Sequence, residues 1–97
     1  MNIRIVNSDA DCLSASRIYA LSWRAGYRGI LSDGFLDDIP LDRWAPFFRE
    51  NLTTGRYAVA ILSAEGRDVA AGGYGRSRDY DDPSWGEVTS IYALPEI

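Results

Sequence analysis

The sequence contains no histidine and no lysine, and only one cysteine. Without histidine the commonest general base and metal ligand is missing. Acid–base chemistry then falls to carboxylates, tyrosines or Cys12, and no metal site is expected. All ten cations are arginines, so lysine-type Schiff-base or amine chemistry is excluded. One cysteine cannot close an internal disulfide, which fits a reducing compartment. No apolar run approaches the length of a membrane span. The opening MNIRIVNSDADC carries no long apolar segment of the secretory type. The expected location is the cytoplasm, with no membrane partner. Positive charge is also in the minority, at a formal net charge of −4. A nucleic-acid backbone needs clustered positive charge, so none is expected as partner.

What is present suits one small domain: 97 residues, 46% of them hydrophobic and 25% charged, enough for a core with a thin margin. Ile3–Val6 reads as a short first strand. Ser8 with Asp11 three residues on is a helix-capping pair, and Cys12, Ala15, Tyr19 and Trp23 recur behind it at helical spacing. Leu13, Ile18 and Leu21 widen that apolar stripe. Gly26 and Gly29 weaken continuation, Ser32-Asp33-Gly34 reads as a turn, and residues 35–40 as a connector. Asp42 is placed to cap a second short helix carrying Trp44, Phe47 and Phe48 on one face, with Pro46 in its first turn and Gly55 ending it. YAVAILS is apolar on both alternating rows, which predicts a strand covered on both faces. Ala64-Glu65-Gly66-Arg67 is a hairpin turn, and the glycines of the return strand mark bulges or close backbone approach. A polar loop, RSRDYDDPS, leads to a last strand from Glu87. There Glu87, Thr89, Ile91 and Ala93 alternate against Val88, Ser90, Tyr92 and Leu94. The expected order is β-α-α-β-β-β.

SWRAGYRGIL at the end of the first helix, FLDDIPLDRW leading into the second, VAAGGYGRSRDYDD and above all GEVTSIYALPEI, in that order, resemble the N-terminal half of a GNAT-type N-acetyltransferase. The resemblance implies an α+β half of the acyl-CoA N-acyltransferase fold, with a mainly antiparallel sheet and two helices. It also implies acetyl transfer from acetyl-CoA to a primary amine. Glu87 matches the family's general base, which takes a proton from the attacking ammonium. The alternative is a solvated strand-start residue paired with Arg76 or Arg78. The Ile91 N–H matches the donor to the thioester carbonyl, and Ala93 the backbone partner of the pantetheine arm. The alternative there is ordinary paired strand backbone. Tyr27 and Arg28 fall where the family builds its acceptor wall, Arg28 facing an acidic substrate group; on spacing alone the stretch reads as core side chains with snorkelling arginines. Trp23 reads as core packing. Asp79, Asp81 and Asp82 either draw a cationic amine inward or form a solvated loop. Cys12, on an apolar stripe with no histidine to activate it, reads as a core thiol.

The family continues past this strand with Q/R-x-x-G-x-G/A, a loop that holds the pyrophosphate at a helix N-terminus. That pattern does not occur in the 97 residues. The expectation is a single truncated domain, residues 1–97, that binds acetyl-CoA weakly or not at all and is inactive alone. Its uncovered last strand is expected to drive homo-oligomerisation. The competing reading is a non-catalytic, dimerising α/β module for a small ligand or a protein.

Overall fold

In the computed structural model the described residues are 1–55, 57–76 and 86–94, and at Tyr57, Arg76 and 86–89 the description is of backbone alone. Along the chain lie β1 (Asn2–Ile5), α1 (Asp9–Gly26), α2 (Asp33–Asp37), α3 (Ala45–Thr54), β2 (Tyr57–Ala64), β3 (Arg67–Arg76) and β4 (Gly86–Ala93). The four strands form one antiparallel sheet in the order β1-β2-β3-β4. The architecture is α+β, with one more helix than the sequence suggests.

The helix signals mostly operate as written. The Ser8 hydroxyl accepts the Asp11 N–H at 3.1 Å and starts α1. Gly55 closes α3 in the left-handed region at φ 66°, where a side chain would be strained. Two expectations are corrected. Ser32-Asp33-Gly34 does not simply turn: the Ser32 hydroxyl accepts the Phe35 N–H and nucleates α2. Asp42 does not cap α3. The Ser16 hydroxyl, projecting from α1, accepts the Trp44 N–H at 2.9 Å and donates to the Leu41 carbonyl at 2.8 Å. The chain is thereby held to α1 as it enters α3, whose N-terminus has no side-chain cap among the described residues. Phe47 and Phe48 also part company, at 52% and 2% exposure, because successive helical residues lie about 100° apart around the axis.

The core lies between α1, α3 and one face of the sheet. Ile18, Tyr19 and Phe48 meet Val59, Ile61 and Ala71 there, with Val6 and Leu94 at its margins. The opposite face carries Ile3, Ile5, Tyr74 and Ile91, all exposed. The expectation that β2 is covered on both faces is therefore corrected: Ala58, Ala60 and Leu62 are only half-buried, shielded by flanking strands rather than by a second layer among the described residues.

The β2–β3 hairpin turns through Glu65 at φ 54° and Gly66 at φ 78°, the two left-handed positions that match strand twist. Between β3 and β4 the register slips: Gly73 faces Ser90 and Tyr74 faces Val88, leaving Thr89 unopposed. This bulge breaks the strict alternation expected along residues 87–93. Beside it, a Cβ on Gly72 would stand 3.0 Å from the Ser90 carbonyl oxygen, so any side chain there would crowd the backbone of β4.

Candidate functional site

β4 is an edge strand, paired to β3 alone. Leu94 donates its N–H to the Val69 carbonyl at 2.8 Å. Bonded and non-bonded pairs alternate along an antiparallel ladder, so Tyr92 also turns its backbone toward β3. Ile91 and Ala93, opposite Gly72 and Ala70, turn theirs to the open side. An independent contact agrees: the Ser22 hydroxyl, from α1, reaches the Ala93 carbonyl at 2.8 Å. The open edge thus presents the N–H groups of Ile91 and Ala93, while one of its carbonyls is held by α1.

The C-terminal end of α1 forms an aromatic wall beside this edge. Trp23 stacks at 4.5 Å between centroids on Tyr27, which caps the helix. It also lies 5.7 Å from Trp44, and its indole N–H donates to the Tyr92 hydroxyl at 3.2 Å. Leu36, Ile39 and Ala20 back the wall. Tyr27 is therefore linked through Trp23 to the strand that carries Ile91 and Ala93. Arg28 is exposed, and its guanidinium binds Asp33 and Asp37 at the two ends of α2. The Asp37 hydrogen bond pushes its pKa up. Arg28 thus clamps the α1–α2 connection and meets an acidic ligand only in competition with two carboxylates.

The seam between α1 and β4 holds side chains that the motif reading missed. Tyr19 is buried, its ring 4.5 Å from Tyr92 and 5.1 Å from Phe48, and its hydroxyl lies 2.5 Å from that of Ser90. Burial pushes the phenol pKa up, and the Ser90 hydrogen bond acts against this. The signal was available: Ser90, Tyr92 and Leu94 alternate on one row, and Tyr19 and Trp23 sit one helical turn apart on α1.

Glu87 stands in β4 opposite Gly75, and its side chain lies outside the described residues. So do Asp79, Asp81 and Asp82. Cys12 is fully buried among core residues, and burial raises its thiol pKa, which suits packing rather than nucleophilic attack. Among the described residues, no helix is long and apolar enough to cross a membrane.

No family model matches the chain, and no curated protein sequence is significantly similar to it. Solved structures are. A PaiA N-acetyltransferase from Thermoplasma acidophilum in complex with coenzyme A is similar over 99% of this chain, with a TM-score of 0.66 and 16% identity. A ribosomal-protein-alanine N-acetyltransferase from Brucella melitensis is similar over 99%, with a TM-score of 0.64 and 20% identity. These neighbours are GNAT-type N-acetyltransferases, and the chain has the fold of part of an acyl-CoA N-acyltransferase. It spans 61% and 56% of their lengths.

Proposed function

We propose that the 97 residues are the N-terminal portion of a cytoplasmic N-acetyltransferase domain that acts on a primary amine. The observation that carries this is the open edge of β4, with Ile91 and Ala93 turning N–H groups outward next to an aromatic wall. Acetyl-CoA, when bound, supplies an acetyl group activated as a thioester. The Ile91 N–H donates to the thioester carbonyl oxygen, and its strength there comes from being fixed in the sheet before the substrate arrives. The Ala93 N–H donates to the pantetheine arm in the manner of an added strand. Tyr27 and Arg28 line the acceptor side. Glu87 accepts the proton that the ammonium must lose before its nitrogen forms the new C–N bond and the C–S bond breaks. These residues fit the thioester and its arm. The pyrophosphate has no cradle among the described residues, so the 97-residue chain is catalytically silent and binds the whole cofactor weakly.

The same edge, with the exposed apolar row Ile3, Ile5, Tyr74 and Ile91 on the sheet, supports self-association.

The test is an amide-resonance titration with S-acetyl-pantetheine, which lacks the pyrophosphate. The expected outcome is a saturable shift of the Ile91 and Ala93 amides at millimolar concentration, with the inward-facing Tyr92 and Leu94 amides far less affected. Shifts confined to other strands would refute the edge assignment. Micromolar acetyl-CoA affinity would refute the silence of the chain.

A further inference from the structure

We propose that Tyr19 is a positioning residue: through Ser90 it fixes the bulge of β4 at Thr89, and so decides that Ile91 turns its N–H to the open edge. The ladder alone leaves that choice open. Gly73 faces Ser90 and Gly72 faces Ile91, with Thr89 unopposed. The two β3 residues beside the slip have no side chains, so no cross-strand pair selects the register there, and glycine-rich strands specify register weakly. Were Ile91 the unopposed residue instead, Thr89 would face Gly73 and Ser90 would face Gly72. The Ser90 side chain would then cross from the α1 face to the exposed face, and the Ser90 N–H would replace that of Ile91 at the edge. Tyr92 and Ala93 would keep their present partners, Ala71 and Ala70.

α1 supplies what the ladder lacks. The Tyr19 ring is held in the core by Tyr92, Phe48 and Trp44, at 4.5, 5.1 and 5.8 Å between centroids. Its hydroxyl lies 2.5 Å from that of Ser90, a bond that exists only while Ser90 stays on the α1 face. In the shifted register the phenol would lose this partner at a buried position, which is costly. The Ser90 carbonyl and the Ile91 N–H belong to one planar peptide unit and point opposite ways, so holding Ser90 inward holds the Ile91 N–H outward. The contacts of Trp23 with Tyr92 and of Ser22 with Ala93 lie beyond the slip and fit both registers. The choice between them therefore falls to Tyr19 and Ser90. This lock needs no assumption about a ligand; its consequence for acetyl transfer rests on the proposed function.

The experiment uses the 97-residue chain and the variants Tyr19→Phe, Ser90→Ala and Ser90→Thr, followed by amide hydrogen exchange and relaxation dispersion. In the parent the Ser90, Tyr92 and Leu94 amides face β3 and are expected to exchange slowly, those of Ile91 and Ala93 fast. In Tyr19→Phe and in Ser90→Ala the Ser90 amide is expected to quicken about ten-fold more than Leu94 does, and Ser90 and Ile91 to show millisecond exchange broadening. Ser90→Thr keeps the hydroxyl and is expected to behave as the parent does. A merely structural role would quicken Ser90, Tyr92 and Leu94 together. That result, or an unchanged amide pattern in both hydroxyl-deleting variants, overturns the inference; Ser90→Ala decides alone if Tyr19→Phe does not fold. S-acetyl-pantetheine is expected to bind these two variants about five-fold more weakly than the parent, with the loss read at Ile91 rather than Ala93. If the parent itself shows no shift with this probe, the proposed function fails, and the exchange pattern still decides the register lock.

Discussion

Arg4 is the residue on which the edge strand β1 depends most, and Arg4→Met measures this. Its guanidinium forks onto Asp68 at 2.9 and 2.8 Å, reaches Asp11 at 3.1 Å, and donates to the Ser63 hydroxyl at 2.9 Å, tying β1 to α1, β2 and β3 at once. A hydrogen bond to a charged group contributes about 1.5–3 kcal/mol when shielded, and an exposed ion pair about 0–1 kcal/mol. The Arg4 side chain is 40% exposed and that of Asp68 26%, so the fork belongs between these limits, at about 1–2 kcal/mol. At about 4–8 °C per kcal/mol for a domain of this size, Arg4→Met is expected to melt roughly 5–15 °C lower. Methionine keeps most of the stem's packing, so the change isolates the charge. The pH dependence gives a second, independent reading. The hydrogen bond from Arg4 holds the Asp68 carboxyl well below its usual range, so on acidification the folded state takes up this proton later than the unfolded state does. The stabilisation is therefore complete above the unfolded carboxyl pKa of about 4 and declines as pH falls below it. Urea unfolding followed by circular dichroism, with Asp68→Asn completing a double-mutant cycle, is expected to show a constant gap between parent and Arg4→Met from pH 7 to 5. The gap then shrinks by about 1 kcal/mol on reaching pH 3. A coupling energy near zero at pH 7, or a gap that does not close in acid, would refute this account.

Ser16→Ala is expected to lower stability by about 2–3 kcal/mol in the same unfolding assay, because it strands the Trp44 N–H and the Leu41 carbonyl beside a fully buried position; Ser16→Thr, which keeps the hydroxyl, separates that loss from crowding. Gly72→Ala is expected to cost about 1–3 kcal/mol, since its Cβ would meet backbone rather than a yielding side chain at 3.0 Å. Hydrogen exchange is then expected to quicken at Tyr92 and Leu94 before it does at β1, and uniform acceleration along the sheet would count against the local explanation.

Local signals in the sequence identified most elements because their determinants are local. The Ser8 cap, the Cys12–Ala15–Tyr19–Trp23 stripe, the Glu65-Gly66 turn and the Gly55 stop each act within a few residues, and each is found where the pattern places it. The errors fall where partners are distant in sequence. The anchor at the entry to α3 comes from Ser16, 28 residues before Trp44. The half-burial of Ala58, Ala60 and Leu62 depends on which layer covers them, and alternation cannot report that. The bulge at Thr89 belongs to a pair of strands: Gly72 and Gly73 announced some irregularity, but the slip is on the partner strand.

The candidate site was legible only through resemblance, because its working groups are main-chain atoms. Nothing in the side chains of isoleucine and alanine sets Ile91 and Ala93 apart; the ladder does, by turning their N–H groups away from β3. What the structure adds is a reason for the edge to prefer one kind of occupant. A second copy of β4 would need outward donors and outward acceptors in alternation. Ser22 already holds the Ala93 carbonyl, so a partner strand must forgo a bond there or displace that hydroxyl. A ligand that offers carbonyl oxygens along an extended arm needs the donors alone. Under the proposed function, self-association through this edge therefore competes with the acyl-carrying arm for the same two donors.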